Sequence, residues 1–266
     1  MTSPINSALP SNTKVVAIPA FNDNYIWCIH NNKDAVVVDP GDATPVLNYL
    51  KKNELNLVGV LITHHHHDHT GGILKLASAN TSLVVYGPSG GHIKGITHPL
   101  INGDTATFPT MNIELSVIDV PGHTLDHIAY CGHNVLFCGD TLFSAGCGRL
   151  FEGTPEQMLH SLNKLAALPD HTIVYCTHEY TAANVVFALA VEPDNQALNN
   201  YSKWVSETRS NNIPTLPTTI SEQKAINPFL RAHKPSVKVS AEAYTNQKLN
   251  SDVAVFTEVR RWKDSF

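Results

Sequence analysis

Apolar residues fall along this chain in two regimes. From Lys14 to about Thr177 they gather in short β-branched or aromatic runs: Val15–Ile18, Tyr25–Ile29, Ala35–Val38, Val58–Ile62, Leu83–Tyr86, Ile113–Val120, His127–Cys131, Val135–Cys138 and Ile173–Cys176. Runs of this kind, bounded by Asn, Asp, Pro or Gly, read as strands closed by turns. Amphipathic patterns interrupt them at Pro45–Lys52, Ile73–Ala79 and Pro155–Leu168, the last with Thr154 as a candidate N-cap. Apolar strands alternating with such helices predict two sheets sandwiched between helices. After Glu179 the pattern changes. Ala182–Val191, Gln196–Arg209, Ser221–Gln223 and Ser251–Arg261 read as helices, joined by Pro-containing links around Ile213–Pro217 and Asn227–Pro228. The expected organisation is α+β: an αββα sandwich over residues 1–178 and a smaller helical domain over 179–266.

Composition narrows the function classes. The chain has 266 residues, of which 42% are apolar and 15% charged, enough for a real core and too few charges for a disordered chain. A net charge of −5 argues against sequence-independent nucleic-acid binding, which rests on Lys and Arg neutralising phosphates. No run approaches the ~20 apolar residues needed to span a bilayer, and Met1–Pro19 lacks the basic and apolar segments of a secretory signal. Five cysteines without C-x-x-C spacing read as reduced thiols of a cytosolic protein. With no apolar heptad or repeat, a monomer is expected.

Histidine is the outlier, with fifteen copies, five of them between His64 and His69. An apolar strand runs directly into Thr63-His64-His65-His66-His67-Asp68-His69, and Gly71-Gly72 lets the backbone turn before the next helix. Loops at strand ends are where rigid scaffolds present functional groups. Alternate residues His64 and His66 can converge on one ion while the backbone is extended. Asp68 and His69, past the bend, can reach another. His65 and His67 fall out of phase. An affinity tag would sit at a terminus and lack the Asp-His-Thr-Gly-Gly continuation; a solvated His-rich loop is the other bland reading. Imidazole with carboxylate suits Zn(II), Fe or Mn, and the absence of clustered Cys argues against a structural zinc. Three further candidates stand at the ends of β runs: His123 after Val117–Gly122, Asp140 after Val135–Gly139, and His178 after Ile173–Thr177. Taken singly, each is more often a structural group.

Thr-His-x-His-x-Asp-His, followed by Pro-Gly-His-Thr at 121–124, Gly-Asp-Thr-Leu-Phe at 139–143 and Thr-His-Glu-Tyr at 177–180, resembles the metallo-β-lactamase superfamily. Within it the chain is similar to the glyoxalase II (hydroxyacylglutathione hydrolase) family. The narrower match rests on Pro19–Tyr25, Ser144–Arg149, Phe151–Thr154, His178–Thr181, Asn227–Arg231 and Arg260–Asp264. The resemblance implies two divalent metal ions, zinc first with iron or manganese as alternatives. His64, His66 and His123 would hold one, Asp68, His69 and His178 the other, and Asp140 would bridge them. Asp68 and Asp140 would thereby frame a metal-bridged hydroxide as the nucleophile. The implied substrate is a small glutathione thioester, S-D-lactoylglutathione, cleaved in the second step of methylglyoxal detoxification.

Glutathione carries two carboxylates and one ammonium, and Arg149, Arg260 and Lys263 match the family's binding positions for it. Phe151, His178 and Tyr180 would complete the substrate contacts. A basic last helical turn is the bland reading of Arg260, Arg261 and Lys263. Two departures stand out: Phe151 where some members have Tyr, and Asp126 where Gly is usual. His127 and Asp39 read as groups that orient ligands. The alternatives are a lactonase or β-lactamase-type hydrolase, a mononuclear iron persulfide oxygenase, and a nucleic-acid-processing or non-catalytic metal-binding member. The Arg260 and Lys263 extension argues against the first, acidity against nucleic-acid processing, and the complete ligand set against a non-catalytic module.

Overall fold

The computed structural model describes residues 8–266, so the part of the expected signal-free leader that falls on residues 1–7 lies outside the described residues. The chain divides into two compact units: the stretch through Asp119 with Asp126–Gly139, and Val120–Leu125 with Asp140–Phe266.

The first unit begins with a six-stranded mixed sheet in sequential order: β1 (Thr13–Ala20), β2 (Asn24–Asn31), β3 (Asp34–Val38), β4 (Asn56–Leu61), β5 (Val84–Pro88) and β6 (His98–Leu100). β1, β2 and β3 pair antiparallel, whereas β3 through β6 run parallel. Parallel pairing requires crossovers: helix α1 (Ala43–Lys52) joins β3 to β4, the single turn α2 (His67–Thr70) and helix α3 (Ile73–Ala79) join β4 to β5, and an irregular segment joins β5 to β6. All of β3 is buried, yet only Ala35 and Val37 join the cluster with Val46, Leu50, Ile73 and Leu76 of the helices. Val36 and Val38 point to the other face, as a period of two demands.

That other face meets an antiparallel meander of β7 (Thr105–Phe108), β8 (Ile113–Asp119), β9 (Ile128–Gly132) and β10 (Val135–Phe137). Phe108 lies so close to β4 that a Cβ on Gly59 would stand 2.1 Å from its ring. The Tyr130 hydroxyl donates to Ile62 O at 2.8 Å, and the Tyr86 hydroxyl donates to Thr107 O at 3.3 Å. β9 turns into β10 through His133 and Asn134, both at positive φ (53° and 60°), the backbone of a two-residue hairpin loop whose twist matches its strands.

The second unit holds a buried hairpin, β11 (Leu142–Phe143) with β12 (Gly146–Cys147), and the pair β13 (Ile173–Tyr175) with β14 (Thr218–Thr219). Helices α4 (Pro155–Ala166), α5 (Thr181–Val191), α6 (Gln196–Ser210), α7 (Ile220–Ile226), α8 (Pro235–Thr245) and α9 (Asp252–Ser265) make up the rest. Thr154 caps α4 in a full capping box with Gln157. Ala145, Val185, Ala188, Leu198, Tyr201, Val205 and Ile226 form one buried apolar cluster of this unit, which includes the hairpin turn. Buried turn amides and carbonyls cannot go unpaired, and side chains answer them. Ala145 N donates to Gln223, Asn184 donates to Ser144 O, and Asn227 donates to both Phe143 O and Gly146 O.

The fold class is as expected. The differences are helix α8, the single turn α2 and the two- to four-residue strands β6, β7, β11, β12 and β14, none of which the sequence pattern predicts. All five cysteines are buried. Burial pushes the Cys28 thiol up to about 12 and that of Cys131 to about 11. No helix among the described residues is long and apolar enough to cross a membrane.

Tyr130 is fully buried, and burial pushes its phenol well above the ordinary range. Replacing it with Phe leaves Ile62 O without that donor, an expected loss of about 1–2 kcal/mol. Urea denaturation of Tyr130→Phe against the parent measures it; equal midpoints would show that this bond contributes nothing.

Candidate metal centre

In the first unit, β4 delivers the chain through Ile62 and Thr63 into the His-rich turn. Asp39, 2% exposed and at φ 51°, sits at the end of β3 and holds that turn from below. Its Oδ1 accepts from Thr63 N at 2.8 Å and its Oδ2 from Thr63 Oγ1 at 2.8 Å. The same Oδ2 lies 3.0 Å from His69 Nδ1. Thr63 Oγ1 also meets His64 Nδ1 at 3.0 Å, which turns His64 Nε2 outward to His66 Nδ1 at 3.1 Å. On the other side, His69 Nε2 lies 3.5 Å from Asp68 Oδ2, and Asn24 donates to that same oxygen at 3.0 Å. The rings of His64 and His69 are 4.1 Å apart, and His127 stacks on His64 at 4.5 Å. His65 turns instead to Asp126, and His67 is exposed on α2.

Close backbone approach makes this packing possible. Gly139 stands at φ 49°, and a Cβ there would lie 2.4 Å from Thr63 Oγ1 and 2.7 Å from the His127 ring. Only glycine fits a site that combines left-handed backbone with contact this tight.

In the second unit, three residues converge independently. His123 Nδ1 meets Arg149 O at 2.9 Å, so Nε2 faces Asp140 Oδ2 at 3.4 Å. His178 Nε2 faces the other oxygen, Oδ1, at 3.3 Å. One buried carboxylate thus presents each of its oxygens to a different imidazole. Phe151 meets the His123 ring edge-on at 5.2 Å; Tyr180 lies flat on His178 at 4.6 Å and 2°. Tyr180 and Phe151 are exposed.

Two of the three candidate cations meet Asp264. Arg260, 5% exposed, donates to Cys147 O at 3.0 Å and to Asp264 Oδ1 at 2.9 Å, with its guanidinium 5.0 Å over the Phe229 ring. Its buried Nε has no partner among the described residues. Arg149 is exposed, with Nε 3.8 Å from Asp264 Oδ1. Lys263 donates to Ala183 O at 3.3 Å and lies 5.0 Å over Phe187. Burial, reinforced by Arg260 and Arg149, pushes its ammonium down to about 8.

The donor set fits first-row divalent ions, being imidazole nitrogen and carboxylate oxygen with no thiolate. Two nitrogens on one tetrahedral ion, each about 2.0–2.1 Å away, lie roughly 3.4 Å apart. The His64–His66 pair is close to that separation.

The Metallo-beta-lactamase superfamily model matches residues 21–178, and the Hydroxyacylglutathione hydrolase C-terminus model matches residues 179–266. A hydroxyacylglutathione hydrolase of Aliivibrio salmonicida is 55% identical over 253 residues, covering 95% of this chain and 99% of its own. One from Nitrosomonas eutropha is 53% identical over 252 residues, covering 95% and 98%. The chain belongs to the hydroxyacylglutathione hydrolase family. Among solved structures, ETHE1 from Myxococcus xanthus superposes with a TM-score of 0.62 over 95% of this chain and 98% of its own, at 23% identity. At that identity the likeness shows the metallo-β-lactamase fold alone.

The sequence had singled out every ligand candidate as well as Asp39 and His127. It had not singled out Thr63, which Asp39 grips, or Asn24, which holds Asp68. Asn24 lies inside the quoted Pro19–Tyr25 motif, and a buried amide at the start of an apolar strand was its available signal. In this hydroxyacylglutathione hydrolase family member, Asp39 orients His69 without standing among the candidate ligands. Removing such a partner costs metal affinity about 10–100-fold. Asp39→Ala is expected to lose metal by that factor in competition with a chelator; parental affinity would show that Asp39 serves folding only.

Proposed function

We propose that this chain is a dinuclear thioester hydrolase that cleaves S-D-lactoylglutathione to glutathione and D-lactate. His64, His66 and His123 would hold one ion, Asp68, His69 and His178 the other, with Asp140 shared. The observation that carries the reading is Asp140 itself, whose two oxygens face His123 and His178 separately. Within the first unit the close approach of His64 to His66 and of His69 to Asp68, and within the second the approach of His123 and His178 to Asp140, support the same assignment. Zinc is the proposed ion, with iron or manganese as alternatives; sites of this kind select partly by availability.

When bound, two divalent ions supply a water acidified to near neutrality and a centre for developing oxyanion charge. The chain's own residues position and bind. His123 is oriented by Arg149 O, His64 by Thr63, and His69 by Asp39. A carboxylate between cations stays ionised, so Asp140 is a ligand and not an acid. A thiolate leaving group, with a model thiol pKa of about 8.5, needs no dedicated general acid.

We place the catalytic part at 1–178 and the substrate-binding helical part at 179–266. Arg149, Arg260 and Lys263 would receive the glutathione carboxylates, with Phe151, His178 and Tyr180 along the thioester. The exposed Arg149 and the approach of both Arg149 and Arg260 to the carboxylate of Asp264 support a site for anionic groups there. A cytosolic monomer acting on a small molecule, and neither nucleic acid nor membrane, completes the reading.

Lactoylglutathione hydrolysis assayed beside a homoserine lactone tests the activity: turnover of the thioester is expected, and preference for the lactone would overturn it. Asp140→Ala is expected to abolish turnover and lower metal content together. For Lys263, the depressed ammonium is charged below pH 8 and loses its charge as pH rises through about 8. KM is therefore expected to rise between pH 7 and 9, and Lys263→Gln to start high and stay flat; identical profiles would remove Lys263 from the site.

A further inference from the structure

The first unit contains a second group of ligand-type side chains that the proposed centre does not use. His65 Nδ1 meets Asp126 Oδ1 at 3.0 Å, with side-chain exposures of 28% and 12%. His92, in the connection between β5 and β6, has its ring centre 6.4 Å from that of His65, at 65°. A Cβ on Gly90 would lie 3.3 Å from His92 Cδ2, 3.7 Å from His92 Nε2 and 3.6 Å from Asp126 Cβ, so both side chains flank one point. Three separate chain segments thus bring two imidazoles and a carboxylate to one place.

We propose that His65, His92 and Asp126 form a separate site for one first-row divalent ion of the zinc class. The chemistry is that of a two-nitrogen, one-oxygen ligand set, which suits zinc, cobalt, nickel or copper. Two imidazoles on one tetrahedral ion, at about 2.0–2.1 Å each, place their ring centres roughly 5 Å apart. His92 therefore needs to move by about an ångström, which an exposed side chain achieves by a small χ adjustment. His65 is the residue out of phase with the ligands on either side of it, and neither His92 nor Asp126 is among the candidate ligands of the dinuclear centre. The site therefore does not depend on the hydrolase reading. Its ion would tie the His-rich turn to two neighbouring loops, and by mass action would stabilise the folded state.

The test uses the holoprotein with its tightly held ions in place. It is dialysed against buffered micromolar Zn(II), and its metal is counted by elemental analysis; zinc chloride is titrated into the same protein by calorimetry. The parent is expected to take up one more zinc per chain than Asp126→Gly. His92→Ala is expected to weaken that uptake at least about tenfold, since loss even of a partner outside the ligand shell costs that much. Both variants should keep the tight ions and lactoylglutathione turnover. Equal counts and equal isotherms in all three proteins would overturn the site. The difference of one ion between parent and Asp126→Gly decides this proposal, whereas the number of ions that survive in Asp126→Gly bears on the dinuclear centre.

Discussion

Asp39 is the constraint on which the metal half of the first unit depends. It is a buried carboxylate in a left-handed backbone conformation, a cost that few non-glycine positions carry. Three contacts offset it: the Thr63 amide, the Thr63 hydroxyl and the His69 ring. Because Thr63 in turn meets His64 Nδ1, one carboxylate settles which nitrogen each of two histidines turns outward. Four consecutive histidines would otherwise be a flexible polar loop. Anchored at both ends of the turn, they become alternately ligand-like and peripheral.

The second unit solves the same problem with amides. The hairpin of β11 and β12 starts just after Asp140, and the backbone of its turn is buried. Gln223, Asn227 and Asn184 reach it from α7, the end of α7 and α5, while Tyr201 meets Ser144 Oγ at 2.8 Å. Partly satisfied buried networks are costly and fully satisfied ones rigid. The position of Asp140 therefore depends on residues more than forty positions downstream. This gives the helical part a structural task in addition to any contact with substrate.

Much of this was legible in the sequence, for identifiable reasons. Long β-branched runs such as Ala35–Val38 and the pattern of Ile73–Ala79 are set by burial on one or both faces, and periodicity records burial. The ligand candidates were visible because each follows an apolar run directly. What was not legible lacks that record. Helix α8 buries only Val237 and Ala241, too little for an apolar stripe. β14 is two residues long, and β6 contains Pro99, so neither carries a strand pattern. Helix α2 is a single turn of His67-Asp68-His69-Thr70 with no apolar periodicity at all. Asn184, Gln223 and Asn227 read locally as ordinary polar residues. Their role exists only once distant segments meet, and no window of sequence contains it.

The cysteines carry a consequence of another kind. Soft electrophiles such as aldehydes and alkylating agents react with thiolates and scarcely with thiols. In this chain every cysteine is enclosed, and those at positions 28, 131 and 147 are held in the protonated form by their surroundings. Covalent damage at sulfur must therefore wait for the fold to open. The rate of modification at sulfur is then governed by how rarely the molecule unfolds.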